Sequence, residues 1–221
     1  VGSFKKIANL SETAITLIQF LKKFEDYYPN LYQKASHIDI VKLILQRIDE
    51  VVDKFGIIKD NASPDLIDIR RNINLVRGKI NQSFGMALSQ YNSLGYLDDI
   101  KETVVENRRV LAVLAMYRRK VKGSILGNSK TGSIAYIEPE AAQRYSRELN
   151  NLEFEEREEI MRILKRLTNE IRPFTETIAA YQDFLSDVDV IAAKAKYAYK
   201  INGILPNIIE EKRLFFREAF H

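Results

Sequence analysis

The letters of this chain that most invite a chemical reading are Gly127-Asn128-Ser129-Lys130-Thr131-Gly132, a lysine among hydroxyls between two glycines. A phosphate loop needs Gly-x-x-x-x-Gly-Lys-Ser/Thr, so that successive backbone N–H groups cradle the phosphates. Here Ser129, not glycine, precedes Lys130. A turn between two strands, with Gly132 at positive φ, accounts for the same residues, and nucleotide binding at this loop is rejected. The two histidines, His37 and His221, have no Cys, Ser–Asp or His–Glu partner at a useful spacing, so neither is assigned a catalytic or metal role. The run Glu153 to Glu159 could suggest a carboxylate metal site, but Arg157 interrupts it and no histidine is near. It reads as a solvated helix face. No catalytic, cofactor-binding or metal-binding residue is expected in this chain.

Basic residues are the remaining chemistry. Arg108, Arg109, Arg118, Arg119, Lys120, Lys122 and Lys130 fall in the stretch Glu102 to Pro139, and Glu106 is the only acid from Val104 to Gly132. One reading is that they solubilise the surface and blunt exposed strand edges. The other is phosphate contact by a sequence-independent clamp. No RNP-type aromatic pattern or zinc-finger spacing accompanies them, so base readout is not indicated.

The elements around this stretch must position it. Short β-type runs occur at Val104-Val105, Val110–Leu114, Gly123–Leu126 and Ser133–Ile137. On either side the pattern is helical. Ser11 reads as the cap of a first helix with Ile15, Ile18, Leu21 and Phe24 in register, ending near Tyr28-Pro29. A second begins near Asp39, with Val41, Ile44, Ile48, Val51 and Phe55 on one stripe and Gly56 as its stop. Ser63-Pro64 opens a third helix that runs to about Asn92. Its Leu66, Ile69, Ile73, Val76, Ile80, Phe84 and Leu88 alternate by three and four, the seam of a helix packed lengthwise on another. Gly78 and Gly85 within it are read as points of close helix approach, and Gly95 closes the segment. Pro139, between Glu138 and Glu140, opens a fourth helix. To Arg172 it would be about 50 Å long, polar in the middle, with Glu153–Arg157 and Glu158–Arg162 at i,i+4 spacing. Pro173 ends or kinks it. A last helix runs from Ser186 to Asn202-Gly203.

Composition sets outer bounds. The 221 residues carry a net charge of +4, with 46% hydrophobic and 29% charged residues and no cysteine. Disulfides and thiolate metal sites are therefore excluded. No apolar run approaches the ~20 residues of a membrane span, and the start shows neither an apolar signal region nor Met, which points to an excised or processed start. A reducing cytoplasm fits.

The segment Gly123 to Pro139, G-S-I-L-G-N-S-K-T-G-S-I-A-Y-I-E-P, resembles G-x-x-H-D-x-S-x-x-G-x-T-x-F-I-E-P of the second branch of bacterial MutS proteins. Gly123, Ser129, Gly132, Ile137, Glu138 and Pro139 match, and Tyr136 stands for the aromatic. Ile58 to Leu66 is similar to that family's V-L-D-x-A-S-P-E-L, Leu149 to Glu153 to part of its acidic lever helix, and Val190 to Tyr197 to its A-x-A-K-A-x-Y. The matches span roughly residues 40 to 203. The family's His-Asp pair is Leu126-Gly127 here, its Thr is Ile134, and its R-D-G-R-Y stretch is Glu106 to Val110, so this is a divergent member. No role tied to the His-Asp pair transfers.

The resemblance implies a mainly α fold: long antiparallel lever helices on a helical core, with a small antiparallel β insertion, the clamp, at about 102–137. It divides the chain into a helical core and lever at 1–95 and 138–205, a small β clamp element at 96–137, and a tail at 206–221 leading toward an absent ATPase domain, with Arg217–His221 lying just before it. It implies a DNA-binding core, lever and clamp segment of a MutS-related ATPase linked to mismatch repair or recombination. The segment would not be catalytic by itself, and the seven basic residues would contact the backbone of duplex or branched DNA. ATP and Mg would be cofactors of the absent domain, the parent a homodimer, and this segment a monomer or weak dimer. Many relatives add a nuclease domain, not present here. The alternative is a protein- or ribosome-interaction and conformational-transmission module without DNA contact.

Overall fold

A computed structural model describes residues 1–215. In chain order the elements are α1 (Gly2–Lys23), α2 (Pro29–Ala35), α3 (Lys42–Val51) and α4 (Pro64–Ser93), then β1 (Leu97–Val105), β2 (Arg108–Leu114), β3 (Gly123–Asn128) and β4 (Ile134–Pro139), and finally α5 (Glu140–Ile171) and α6 (Thr175–Lys200). The fold is mainly helical with one small antiparallel sheet. The chain divides into two compact units, one of Val1–Ala8 with Lys42–Pro173, the other of Asn9–Val41 with the described residues from Phe174 on.

The first unit is built on α4 and α5, which pack lengthwise. Ser63 caps α4, its hydroxyl accepting from the Leu66 amide at 3.1 Å, with Pro64 at the first helical position, where the missing N–H costs nothing. Leu66, Ile73 and Val76 of α4 and Ala142, Ile163, Leu167 and Ile171 of α5 are buried. Between these apolar contacts Glu153, Glu156 and Glu159, one helical step of three apart, meet α4 and its cap. Glu153 pairs with Arg77 at 3.1 Å, Glu156 with Arg70 at 2.7 Å, and Glu159 accepts the Ser63 hydroxyl at 2.7 Å.

That is a correction to the solvated-face reading. Glu159 is 5% exposed. The i,i+4 pairs read from the sequence are replaced by cross-helix ones, and Arg162 pairs with Glu159 and Asp65. A carboxylate spaced by three looks the same in sequence whether it faces water or an arginine on another helix.

The sheet is entered from Gly95, whose φ of +69° ends α4. Strand order is β1-β2-β4-β3, with every neighbour antiparallel. Since β2 and β3 each run antiparallel to β4, they share a direction, and the segment joining them must cross the sheet. One face, with Leu111, Val113, Ala135 and Ile137, packs on Phe84, Ala87 and Tyr91 of α4, and Val121 of the crossing segment joins the same core. Alternation sends Val110, Ala112 and Glu138 to the other face, where all three are buried. Of the Gly127–Gly132 letters, Gly127 and Asn128 end β3 and Ser129–Gly132 form the β3–β4 turn, with Gly132 at φ +72°.

The second unit has its own core: Ser11, Ala14, Ile15, Ile18 and Leu21 of α1, Ala35, and Tyr181 and Phe184 of α6. The Tyr181 hydroxyl donates to the Asp39 carbonyl at 2.8 Å and accepts from the Val41 amide at 2.9 Å.

Other boundaries differ from the sequence reading. α1 starts at Gly2, so Ser11 is a buried helix-interior residue and not a cap. α2 was not foreseen, because seven residues are too few for a periodicity to show. α3 stops at Val51; Phe55 is 75% exposed, and Gly56, at φ +81°, belongs to a turn tied by the Asp53 carboxylate to the Phe55 and Ile57 amides. Pro173 sits in a short 3-10 turn that ends α5, and α6 begins at Thr175, not Ser186. A methyl at Gly78 or Gly85 would meet nothing within 4 Å, so neither is a point of close helix approach. Of the tail, Arg217–His221 lie outside the described residues.

Candidate nucleic-acid interface

The structure sorts the seven basic residues into two sets. Arg108 and Arg109 open β2, just after the Glu106-Asn107 turn. The Arg108 guanidinium donates to Glu138 at 3.0 Å, and the Glu138 side chain is only 3% exposed. The Ser146 hydroxyl of α5 donates to the other Glu138 oxygen at 2.6 Å, and the Gln143 side chain donates to the Glu138 carbonyl. Arg109 pairs with Glu102 of β1 at 2.6 Å, donates to Asn81 of α4 at 3.0 Å and lies 4.3 Å above the Phe84 ring. These two arginines bind the sheet to the helix pair, one on each face. A cleft of about 300 Å³ lies among them, Arg77, Asn81, Glu138 and Ser146.

Arg118, Arg119, Lys120 and Lys122 lie on the crossing segment, and Lys130 lies in the β3–β4 turn. All five are exposed, and none is in an ion pair among the described residues. The segment is held at several points. Its start joins the hairpin end, where the Ala115 amide donates to the Ser133 carbonyl at 2.9 Å. A 3-10 turn, Ala115–Tyr117, follows. Val121, 5% exposed, anchors the middle in the core, and the Tyr91 hydroxyl accepts from the Lys122 amide at 3.1 Å. At its far end the Lys122 carbonyl accepts from the Glu140 amide at the start of α5. The side chains therefore project from a pinned backbone, with four cations on one connection and Lys130 on the turn where that connection begins.

Sequence reading missed the tyrosines at this connection, Tyr117 within it and Tyr91 and Tyr96 packed against it. Tyr96 and Tyr117 stack with centroids 4.5 Å apart and planes at 21°, and Tyr91 lies 6.4 Å beyond Tyr96 at 23°. The Lys120 ammonium is 5.7 Å from the Tyr96 centroid and 5.6 Å from that of Tyr117. Their positions, flanking a helix end and following a strand, carry no periodic signal that would have joined them.

No protein-family model matches the chain. Among curated proteins it is similar to the Endonuclease MutS2 of Halothermothrix orenii, 29% identical over 90% of this chain and 25% of the relative. It is also similar to that of Staphylococcus carnosus, 28% identical over 100% and 30%, and to that of Lacticaseibacillus casei, 30% identical over 97% and 28%. The chain is a divergent, MutS2-like member of the MutS family. It spans about a quarter to three tenths of the length of these MutS2 relatives.

The structure also says what the MutS2-like motif does. A Cβ at Gly123 would collide with the Glu138 carbonyl and come within 2.8 Å of Ile137. The Ser129 hydroxyl accepts from the Ile134 amide at 3.1 Å, closing the turn. Glu138 ties the sheet to α5, and Pro139 starts that helix. The matched letters are those of the hairpin-to-helix junction. Leu126 and Gly127, where the family has His-Asp, lie at the irregularity of β3, where the register against β4 shifts between Ile125 and Gly127.

Proposed function

We propose that this chain is a DNA-binding core, lever and clamp segment of a MutS-related protein, not catalytic by itself. The sheet is the clamp and the braced pair α4–α5 is the lever. Arg118, Arg119, Lys120, Lys122 and Lys130 contact the phosphate backbone without regard to sequence. The observation that supports this reading is five exposed, carboxylate-free cations, four on a pinned connection and Lys130 on the adjoining turn, next to two arginines that hold the sheet in place. Paired arginines have their charge spent on neighbouring acids, whereas unpaired cations can displace counterions from a polyanion. The names of the relatives, Endonuclease MutS2, support association of the parent with DNA.

The lever would carry a displacement at one end of α4–α5 to the sheet, because the ion pairs and buried seam resist sliding. ATP and Mg, which the family resemblance implies, are proposed as cofactors of a longer parent; among the described residues no cluster of His, Asp or Glu could hold a metal ion. The Ser129, Thr131 and Ser133 hydroxyls bond to one another around the β3–β4 turn. DNA binding by this segment is proposed to need neither.

The test is fluorescence anisotropy of duplex DNA at low salt. Measurable affinity is expected, falling with a log–log salt slope of roughly −4 to −5 if five phosphates are engaged at about −0.9 each. Undetectable binding, or binding unchanged when Arg118, Arg119, Lys120 and Lys122 are all replaced by Glu, sinks the proposal. One observation favours a protein or ribosome contact instead: Ile100, Val104 and Ile125 of the sheet and Met116 of the connection are exposed at 71%, 63%, 50% and 76%. Co-sedimentation with ribosomal particles that survives the charge reversal would support that second reading.

A further inference from the structure

We infer that Tyr117 is a stacking platform for an unpaired base, so that the basic connection takes DNA containing single-stranded nucleotides in preference to blunt duplex. The inference rests on the proposed function and adds the class of substrate.

The argument is geometric. Tyr91, Tyr96 and Tyr117 form a series of near-parallel rings, in which Tyr91 is buried, Tyr96 is in the middle and Tyr117 is at the end. Tyr117 is partly exposed. The Lys120 ammonium is almost equidistant from the Tyr96 and Tyr117 centroids, at 5.7 and 5.6 Å, while the rings are 4.5 Å apart. A point equidistant from two stacked rings lies beside the stack, not on its end. Lys120 therefore does not cap the stack but places a positive charge at the rim of the partly exposed Tyr117 ring. Arg118 and Arg119, the next two residues, are exposed and unpaired.

An aromatic face with cations around its rim is the arrangement that holds single strands: the base stacks and the flanking phosphates meet the charges. A duplex can use the cations, but its bases are already stacked on one another. Charge blunting of an edge would not require two stacked rings beside the lysine. The rings are fixed before binding, since Tyr91 is held through its hydroxyl by the Lys122 amide and packs in the core, so little ordering cost is added on association.

The experiment measures affinity of the full chain for an oligothymidylate and for a blunt duplex of equal length, with quenching of 2-aminopurine in a single strand as a direct report of stacking. Wild type is expected to prefer the single strand and to quench the probe. Tyr117→Leu keeps an apolar side chain against the core and is expected to lose about 5- to 100-fold in single-strand affinity, with duplex affinity unchanged. Tyr117→Phe is expected to retain both. Absence of quenching by wild type overturns the inference even if Tyr117→Leu does not fold, as does an equal loss on both ligands. Failure of the proposed function is separately visible, as duplex affinity that survives reversal of the four cations on the connection.

Discussion

Two glycines separate into opposite roles at the level of single residues. Gly85 is in the middle of α4 with open space where a methyl would go, whereas Gly123 abuts the Glu138 backbone. Gly85→Ala is expected to stabilise the chain by about 0.5–1 kcal/mol, because alanine has the better helix propensity and loses less backbone entropy. Gly123→Ala is expected to destabilise it by about 1–3 kcal/mol, since the atom it meets is backbone and cannot swing away. Urea denaturation of both variants checks the pair; equal effects would contradict the close approach at β3. Ser63→Ala removes both the α4 cap and a partner of the buried Glu159, and is expected to cost about 1–3 kcal/mol in the same assay.

Between elements, the ion pairs joining α4 and α5 decide how stiff the proposed lever is. Burial pushes the Arg70 pKa down, but hydrogen bonds to Glu156 and Asp60 outweigh it and hold the guanidinium above the ordinary arginine value. A cation whose folded pKa is raised contributes stability that is complete below its unfolded pKa and is lost only as pH rises through the folded value. Both lie far above neutrality, so this contribution is constant from about pH 6 to 9. Salt is the variable that matters. A double-mutant cycle of Arg70→Ala and Glu156→Ala is expected to give a coupling of about 0.5–2 kcal/mol that shrinks with added salt and does not change with pH across that range. A coupling that vanished between pH 6 and 9 would mean that some other titrating group holds the helices.

For the molecule as a whole, stability and proposed function occupy different cations. Replacing Arg118, Arg119, Lys120 and Lys122 by Glu touches exposed, unpaired residues, and the unfolding free energy is expected to change by less than about 1 kcal/mol. Arg108→Glu places a second carboxylate against Glu138, whose side chain is 3% exposed, and is expected to unfold the junction of sheet and α5. Thermal denaturation beside the DNA-binding assay distinguishes the two. If the quadruple variant unfolded, its loss of binding would say nothing about contact, and Lys130 and single reversals would have to decide.

Much of this was legible in the chain. The α4 stripe, the Ser63 cap, the Gly95 stop, the runs of β2, β3 and β4 and the turn at Gly132 all follow from local periodicity, capping chemistry and steric rules, which act over a few residues. The MutS resemblance came from the order of several such local motifs. What tertiary structure alone decided was partnership. Arg108 and Arg109 are letter for letter like Arg118 and Arg119, yet one pair is tied to Glu138, Glu102 and Asn81 and the other faces solvent. Glu153, Glu156 and Glu159 looked like a wet face until the opposite helix supplied arginines and a serine. Tyr91, Tyr96 and Tyr117 became a stack only when the connection from β2 to β3 crossed the sheet over the end of α4. A charge or a ring does not record in its own sequence neighbourhood which distant residue will neutralise or cover it, because that is set by strand order and helix pairing.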